Sequence, residues 1–250
     1  MSLNKPIYTL RNWIDIDDLD YYNFSLNPNV NDYLQKNRYL IHWNGLSLNP
    51  NAIDIIKNHL EDIYFDELSF NSNAIRLLEK NLDKIIWSQL SKNSNAIKIL
   101  EENQDKINWS MLCLNPNAIH LLEKNLNKIN WYCLSSNPNA IKILEQNIDN
   151  IDWYELSSNP NAIHLLEKNQ DKINWKQLSR NINAIDLLQK NKKRINWKYL
   201  SKNPAIFQLD YQAMKIANLK IEEELIKEVM KPSRVFKDPN IDYLEILFGD

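Results

Sequence analysis

Apolar and polar residues along this chain repeat with a period far longer than that of a single helix or strand. Large aromatic residues stand at Trp43, Phe65, Trp87, Trp109, Trp131, Trp153, Trp175 and Trp197, always 22 residues apart, and Tyr21 opens a weaker first copy. Between them one order returns, W-x-x-L-S-x-N-P-N-A-I-x-L-L-E-x-N-x-x-x-I-x. Self-similarity at such a period is the mark of an array in which each unit packs only on its neighbours. Nine copies run from residue 21 to about residue 207. They divide the chain into an N-terminal cap (1–20), a repeat solenoid (21–207) and a C-terminal helical cap or tail (208–250).

The copy from Trp109 to Asn130 predicts what each unit builds. Asn108 is a good N-cap, and Trp109, Leu112 and Cys113 share one face of a short helix A. Asn115 then caps a helix B whose first position is Pro116, where a missing N–H costs nothing. Ala118, Ile119, Leu121 and Leu122 supply its apolar face, and it ends near Asn125. The chain has only 2 Gly, so Asn is the residue left to take the left-handed conformation past a helix end. On this reading Asn37, Asn81, Asn103, Asn125, Asn147, Asn169 and Asn191 are C-terminal caps, with His59 the one departure. The ninth-place Asn of each copy is free to bond the adjacent copy as a stacked ladder. Two helices this short cannot bury Trp, Leu and Ile alone, so the copies must stack. The expected fold is all-α, an α-solenoid of about nine helix-turn-helix repeats with helical caps. Removing one central indole, as in Trp131→Ala, is expected to cost about 3 to 5 kcal/mol.

The ends depart from the pattern. Leu10, Trp13 and Ile14 precede the first copy, and the ninth loses a residue at Asn203-Pro204-Ala205-Ile206. Beyond it Tyr211 to Lys215 and Ile221 to Met230 read as two helices, with Pro232 as the breaker.

Composition narrows the function. The formal charge is -2, from 30 Lys+Arg and 32 Asp+Glu, which argues against nucleic acid or anionic membrane as a general partner. No apolar run approaches the roughly 18 residues that span a bilayer, and none of signal-peptide type follows Met1. Two cysteines make no disulfide framework, and the reading is of a soluble intracellular protein. An AT-rich gene would explain much Asn, Lys and Ile, but it would scatter Asn instead of fixing it at the seventh, ninth and seventeenth places.

The blocks Leu112 to Asn125 and Leu156 to Asn169 resemble a family of repeat proteins abundant in giant viruses of the mimivirus type. So does the terminal stretch Pro204-Ala205-Ile206-Phe207, Asp210 to Lys215 and Lys231-Pro232-Ser233-Arg234, although Lys231 stands where that tail often has His. The resemblance covers nearly the whole chain. It implies a viral protein made in an infected host's cytoplasm, in the cytosol, the viral factory or the virion. It supplies no catalytic residues and no cofactor.

Apparent catalytic constellations dissolve into columns. His120 and His164 hold the twelfth place two copies apart, too far to share a metal ion. His42 and His59 show no Cys or carboxylate partners at ligand spacing. Glu79, Glu101, Glu123, Glu145 and Glu167 read as one solvated column. The repeat gives them near-identical environments, where paired catalytic carboxylates need unlike ones. Cys113 replaces the small fifth-place Ser as a buried thiol, and neither it nor Cys133 has a base beside it. With no phosphate-cradling glycine loop either, the chain reads as a non-enzyme with no metal or cofactor.

Recognition would use the places the stack leaves free, namely the second, third, sixth, twelfth and sixteenth. Tyr and Lys thicken on the helix A ridge of the later copies, and Tyr is enriched in binding hot spots. The candidate interaction surface is Tyr132, Tyr154, Lys176, Lys198 and Tyr199, and the expected partner is a viral or host protein. Single-stranded RNA and a structural place in the virion are the alternatives. Lys190, Lys192, Lys193, Arg194, Lys198 and Lys202 at one end against Asp15, Asp17, Asp18 and Asp20 at the other leave self-association open.

Overall fold

The computed structural model describes residues 8–229. It falls into two compact units divided between Asn203 and Pro204. Among the described residues every regular element is helical, and the first unit is an α-solenoid of tandem copies.

Copy six shows how the local sequence produces the unit. Helix A spans Trp131–Ser135, started by Asn130, whose side chain accepts from the Cys133 N–H at 3.1 Å. It stops because Asn137 turns the chain. The Asn137 Oδ1 accepts from the Asn139 N–H at 3.0 Å, and the Asn137 carbonyl accepts from the Ala140 N–H at 3.2 Å. Pro138 lies inside this turn, where its fixed φ suits the second residue. Helix B follows over Ile141–Gln146, a 3₁₀ helix over Ile148–Asn150, and extended residues then lead into copy seven.

Three expectations change in the light of this geometry. Helix B of copy five begins at Ile119, after Ala118, so Asn115 is not its N-cap and Pro116 is not its first residue. The Asn115 Oδ1 accepts from the Asn117 N–H inside the turn, and its Nδ2 reaches across the junction. The seventeenth-place Asn is the C-cap of helix B at Asn37, Asn103, Asn147, Asn169 and Asn191, whereas helix B ends before Asn81 and Asn125 with Glu79 and Lys124 as C-caps, and none is in the left-handed region, since no described residue has positive φ. Asn103, for example, has φ -133° and ψ 50°. Its Nδ2 donates to the Ile99 carbonyl at 2.9 Å, and Asn37, Asn81, Asn125, Asn147, Asn169 and Asn191 do the same four residues back. The side chain supplies the donor that an orphaned terminal carbonyl requires, so no left-handed turn is needed. Finally, the unit has a third element, the 3₁₀ turn, in most copies.

The centre of the core is Leu and Ala. Leu46, Leu68, Leu90, Leu112, Leu134 and Leu156 at the fourth place are fully buried, as are Ala74, Ala96, Ala118, Ala140 and Ala162 at the tenth. Leu78, Leu100, Leu122, Leu144 and Leu166 at the fourteenth join them. The Trp rings, expected to share the continuous core with Leu and Ile, pack half-buried against its rim, and Trp197 of the ninth copy is 65% exposed. In copies three, four, five, seven and eight the basic residue at the twentieth place lies over the first-place ring, from 4.3 Å for Lys128 on Trp109 to 5.2 Å for Lys84 on Phe65. A cation over an aromatic face contributes about 0.5 to 1 kcal/mol at an exposed site.

Ahead of the first copy is a single 3₁₀ turn, Ile16–Asp18, with Trp13 exposed. A cavity of about 410 Å³ lies between Tyr8–Ile14 and the first copy. Gly45 is required where it stands, because a Cβ there would meet the Tyr22 carbonyl oxygen at 2.5 Å. In the second unit the two expected helices are one, Tyr211–Val229, capped by the Asp210 carboxylate on the Ala213 N–H. Its Tyr211, Ile221, Leu225 and Ile226 are exposed. The expected break at Pro232, the tail residues Lys231 to Arg234 and the Met230 end of the second expected helix lie outside the described residues.

Candidate interaction ridge

Two polar seams consume the recurring residues. At the seventh place Asn115 is fully buried, and its Nδ2 donates to the Ser91 carbonyl at 3.1 Å and the Asn93 carbonyl at 2.9 Å, both in the preceding copy. At the ninth place Asn117 Nδ2 donates to the Ser94 carbonyl at 3.0 Å. The same pattern recurs from Asn49 and Asn51 to Asn181 and Asn183. The ladder expected at the ninth place is therefore doubled by a deeper one at the seventh. The second seam was not foreseen. Ser91 Oγ donates to the Trp87 carbonyl at 2.7 Å and accepts from the Asn108 N–H, which belongs to the end of its own copy, at 3.1 Å. Its sequence signal was the recurrence of Ser at the fifth place, read only as small.

Cys113 stands in that seam. It is fully buried, accepts from the Asn130 N–H, and burial pushes its thiol up to about 11. Cys133 is raised as well, first by burial and then by the Glu155 carboxylate. Neither thiol is activated as a nucleophile.

The Glu column is not simply solvated. Glu101 meets His120 at 2.7 Å and Glu145 meets His164 at 2.7 Å, while Lys142 lies 3.8 Å from Glu123. In each case the fifteenth place of one copy reaches the twelfth of the next, and this occupies much of the twelfth-place column that sequence reading left free. His59 also has carboxylate partners after all. It lies 3.9 Å from both Glu61 and Asp62, the one group of this kind among the described residues. Spacings of two and three residues past a helix end bring them together. The His59 ring stands 5.2 Å from Trp43 in a copy whose twentieth residue is Asp62, so it takes the place of the missing cation over the indole.

The helix A ridge carries all five expected contact residues. Tyr132, Tyr154, Lys176 and Lys198 occupy the second place in copies six to nine, and Tyr199 the third place in copy nine. Tyr132 is 56% and Tyr154 43% exposed, and the Lys176 and Lys198 side chains are exposed too. Neighbouring copies are tied along this ridge from second place to third. Asn44 Nδ2 donates to Glu67 Oε1 at 2.8 Å, Tyr132 is hydrogen-bonded to Glu155, and Lys176 to Tyr199. The Glu155 bond and charge hold the Tyr132 phenol above its usual range, whereas the Lys176 bond lowers that of Tyr199. Lys176 and Arg180 both lie over the Tyr199 ring, at 5.0 and 4.9 Å. The structure thus joins Tyr199 to Lys176 and gives Tyr132 an acidic neighbour, so the ridge changes from acidic-aromatic to basic-aromatic along its length.

No helix among the described residues is long and apolar enough to cross a membrane. No family model matches the chain, and neither a curated protein nor a solved structure matches it.

Proposed function

We propose that the protein is a non-enzymatic scaffold that binds a protein partner, viral or host, along the helix A ridge. The observation that carries this reading is a division of labour. The side chains that recur in every copy are spent on the stack, and those that change from copy to copy line an exposed ridge with Tyr at its centre. Tyr buries a large rigid surface at low entropic cost and brings a polar tip, which suits it to protein contacts. The likeness of the Leu112 to Asn125 block to giant-virus repeat proteins supports a viral origin and a place in the host cytoplasm, the viral factory or the virion. RNA-reading helical repeats need a free aromatic or Arg face in each copy. Here five first-place rings already lie under cations, which weighs against that mode.

The test is affinity capture from infected cells with the full chain and with the combined variant Tyr132→Ala, Tyr154→Ala, Tyr199→Ala, compared by mass spectrometry. Loss of a specific protein with the variant is expected. An unchanged set of captured proteins overturns the ridge as the contact face, and salt-sensitive binding of single-stranded RNA would point to nucleic acid instead.

A further inference from the structure

The chain has 2 cysteines, and both fall at one junction between copies. Cys113 holds the fifth place of copy five and Cys133 the third place of copy six. At the first junction the same two places are Ser25 and Gly45, and a Cβ built on Gly45 stands 3.3 Å from the Ser25 Cβ. Disulfide-linked cysteines have Cβ atoms about 3.5 to 4.5 Å apart. A residue with a real Cβ must stand slightly farther out than Gly45, whose Cβ would also collide with the Tyr22 carbonyl oxygen at 2.5 Å. Standing farther out widens the spacing from 3.3 Å toward that range. Asn130 brackets the pair, because its N–H donates to the Cys113 sulfur and its Oδ1 accepts from the Cys133 N–H at 3.1 Å. The two thiols also sense each other's charge. At the other junctions the fifth place is Ser and the third is Gly45, Glu67, Gln89, Met111, Glu155, Gln177 or Tyr199, so only this junction can be linked.

We propose that Cys113 and Cys133 are a redox-closable pair that staples copy five to copy six. The oxidant is a low-molecular-weight disulfide such as oxidised glutathione. The half-buried Cys133, as thiolate, attacks one sulfur of that disulfide, forms a mixed disulfide and releases the first thiolate. Cys113 then gives up its proton, attacks the Cys133 sulfur and displaces the second thiolate. Two protein thiols are oxidised to one disulfide, one external disulfide is reduced to two thiols, and the two protons end on those thiols. The buried resolving thiol of Cys113, raised to about 11, makes the second step slow at neutral pH and faster in mild alkali.

The experiment treats the folded full-length chain with oxidised glutathione, then denatures, alkylates and weighs it. Wild type is expected to lose two hydrogen atoms and both alkylation sites, to run as a monomer without reductant, and to melt several degrees higher than its reduced form. Dithiothreitol reverses all of this. Cys113→Ser, which restores the repeat's own residue, stops at a mixed disulfide on Cys133, and in Cys133→Ser the buried Cys113 stays reduced. The proposal is overturned if wild type stops at the mixed disulfide or forms linked dimers. Retention of both thiols under conditions that oxidise the denatured chain overturns it as well.

Discussion

The seventh place of the first copy and that of the fifth hold the same residue in different circumstances. Asn115 is fully buried and donates to two carbonyls of copy four. Asn27 has no preceding copy and is exposed, and among the described residues its side chain is engaged through Oδ1 alone, by the Asn29 N–H at 3.0 Å. The local turn is identical, so the turn chemistry belongs to the residue and the interface chemistry to its neighbour. The recurring Asn is therefore worth little at the end of the array and much inside it.

Substituting both positions is the most direct way to break that comparison. Asn115→Ala takes the donor from the buried Ser91 carbonyl, at about 1 to 3 kcal/mol for an unpaired group, and a second bond of about 1 kcal/mol from the Asn93 carbonyl, which keeps the Ala96 N–H, so it should cost about 2 to 4 kcal/mol in urea unfolding. Asn27→Ala should cost less than about 1 kcal/mol, since water already solvates it. Equal effects would show that the ladder is not what stabilises the interior. Next in size is Trp131→Ala. A ring at the rim of the core should cost about 1.5 to 3 kcal/mol, the value for burying one apolar side chain, and not the 3 to 5 first expected of a central indole. Ser91→Ala removes the partner of the Asn108 N–H and should cost about 1 to 2 kcal/mol, whereas Ser201→Ala in the last copy, where the side chain is exposed, should cost less. The Cys113 titration sharpens the interior side of the comparison. Its folded value, raised from 9.0 to about 11, gives stability that is complete below pH 9 and is lost as pH rises toward 11, because the unfolded thiol ionises first. The alkaline fall in melting temperature should therefore be shallower in Cys113→Ser. The smallest effect belongs to Tyr132→Phe, an exposed ridge position, expected to stay within about 0.5 kcal/mol.

The period alone made the helical stack legible, because aromatic, Leu and Ala columns leave few ways to bury them. The polar seams were legible only in part. The fixed recurrence of Asn pointed to a structural role, and the seventeenth place was rightly read as the C-cap in copies one, four, six, seven and eight, though not at Asn81 or Asn125. Its left-handed conformation was inferred from a glycine shortage, and that inference overlooked that an amide can donate directly to a carbonyl four residues back. Contacts between residues far apart along the chain were the least visible. Ser91 with Asn108 and Lys128 over Trp109 inside a copy, and Glu101 with His120 between copies, depend on how the chain is bent through the 3₁₀ turn, which residue spacing alone does not encode. For the same reason the candidate ridge was found as a set of columns, while its pairing of Lys176 with Tyr199 and of Tyr132 with Glu155 was not.

Every seam bond between copies points the same way along the stack. From the second copy on, each seventh- and ninth-place Asn amide donates backward to a carbonyl of the copy before it. Such a junction is head-to-tail, with unlike surfaces meeting, and most interior junctions are chemically interchangeable. A gene that gains or loses one 22-residue cassette within the array would therefore rebuild the same seam at the splice. Length can drift by duplication while the frame is preserved, and the ridge gains or loses one reading position at each step.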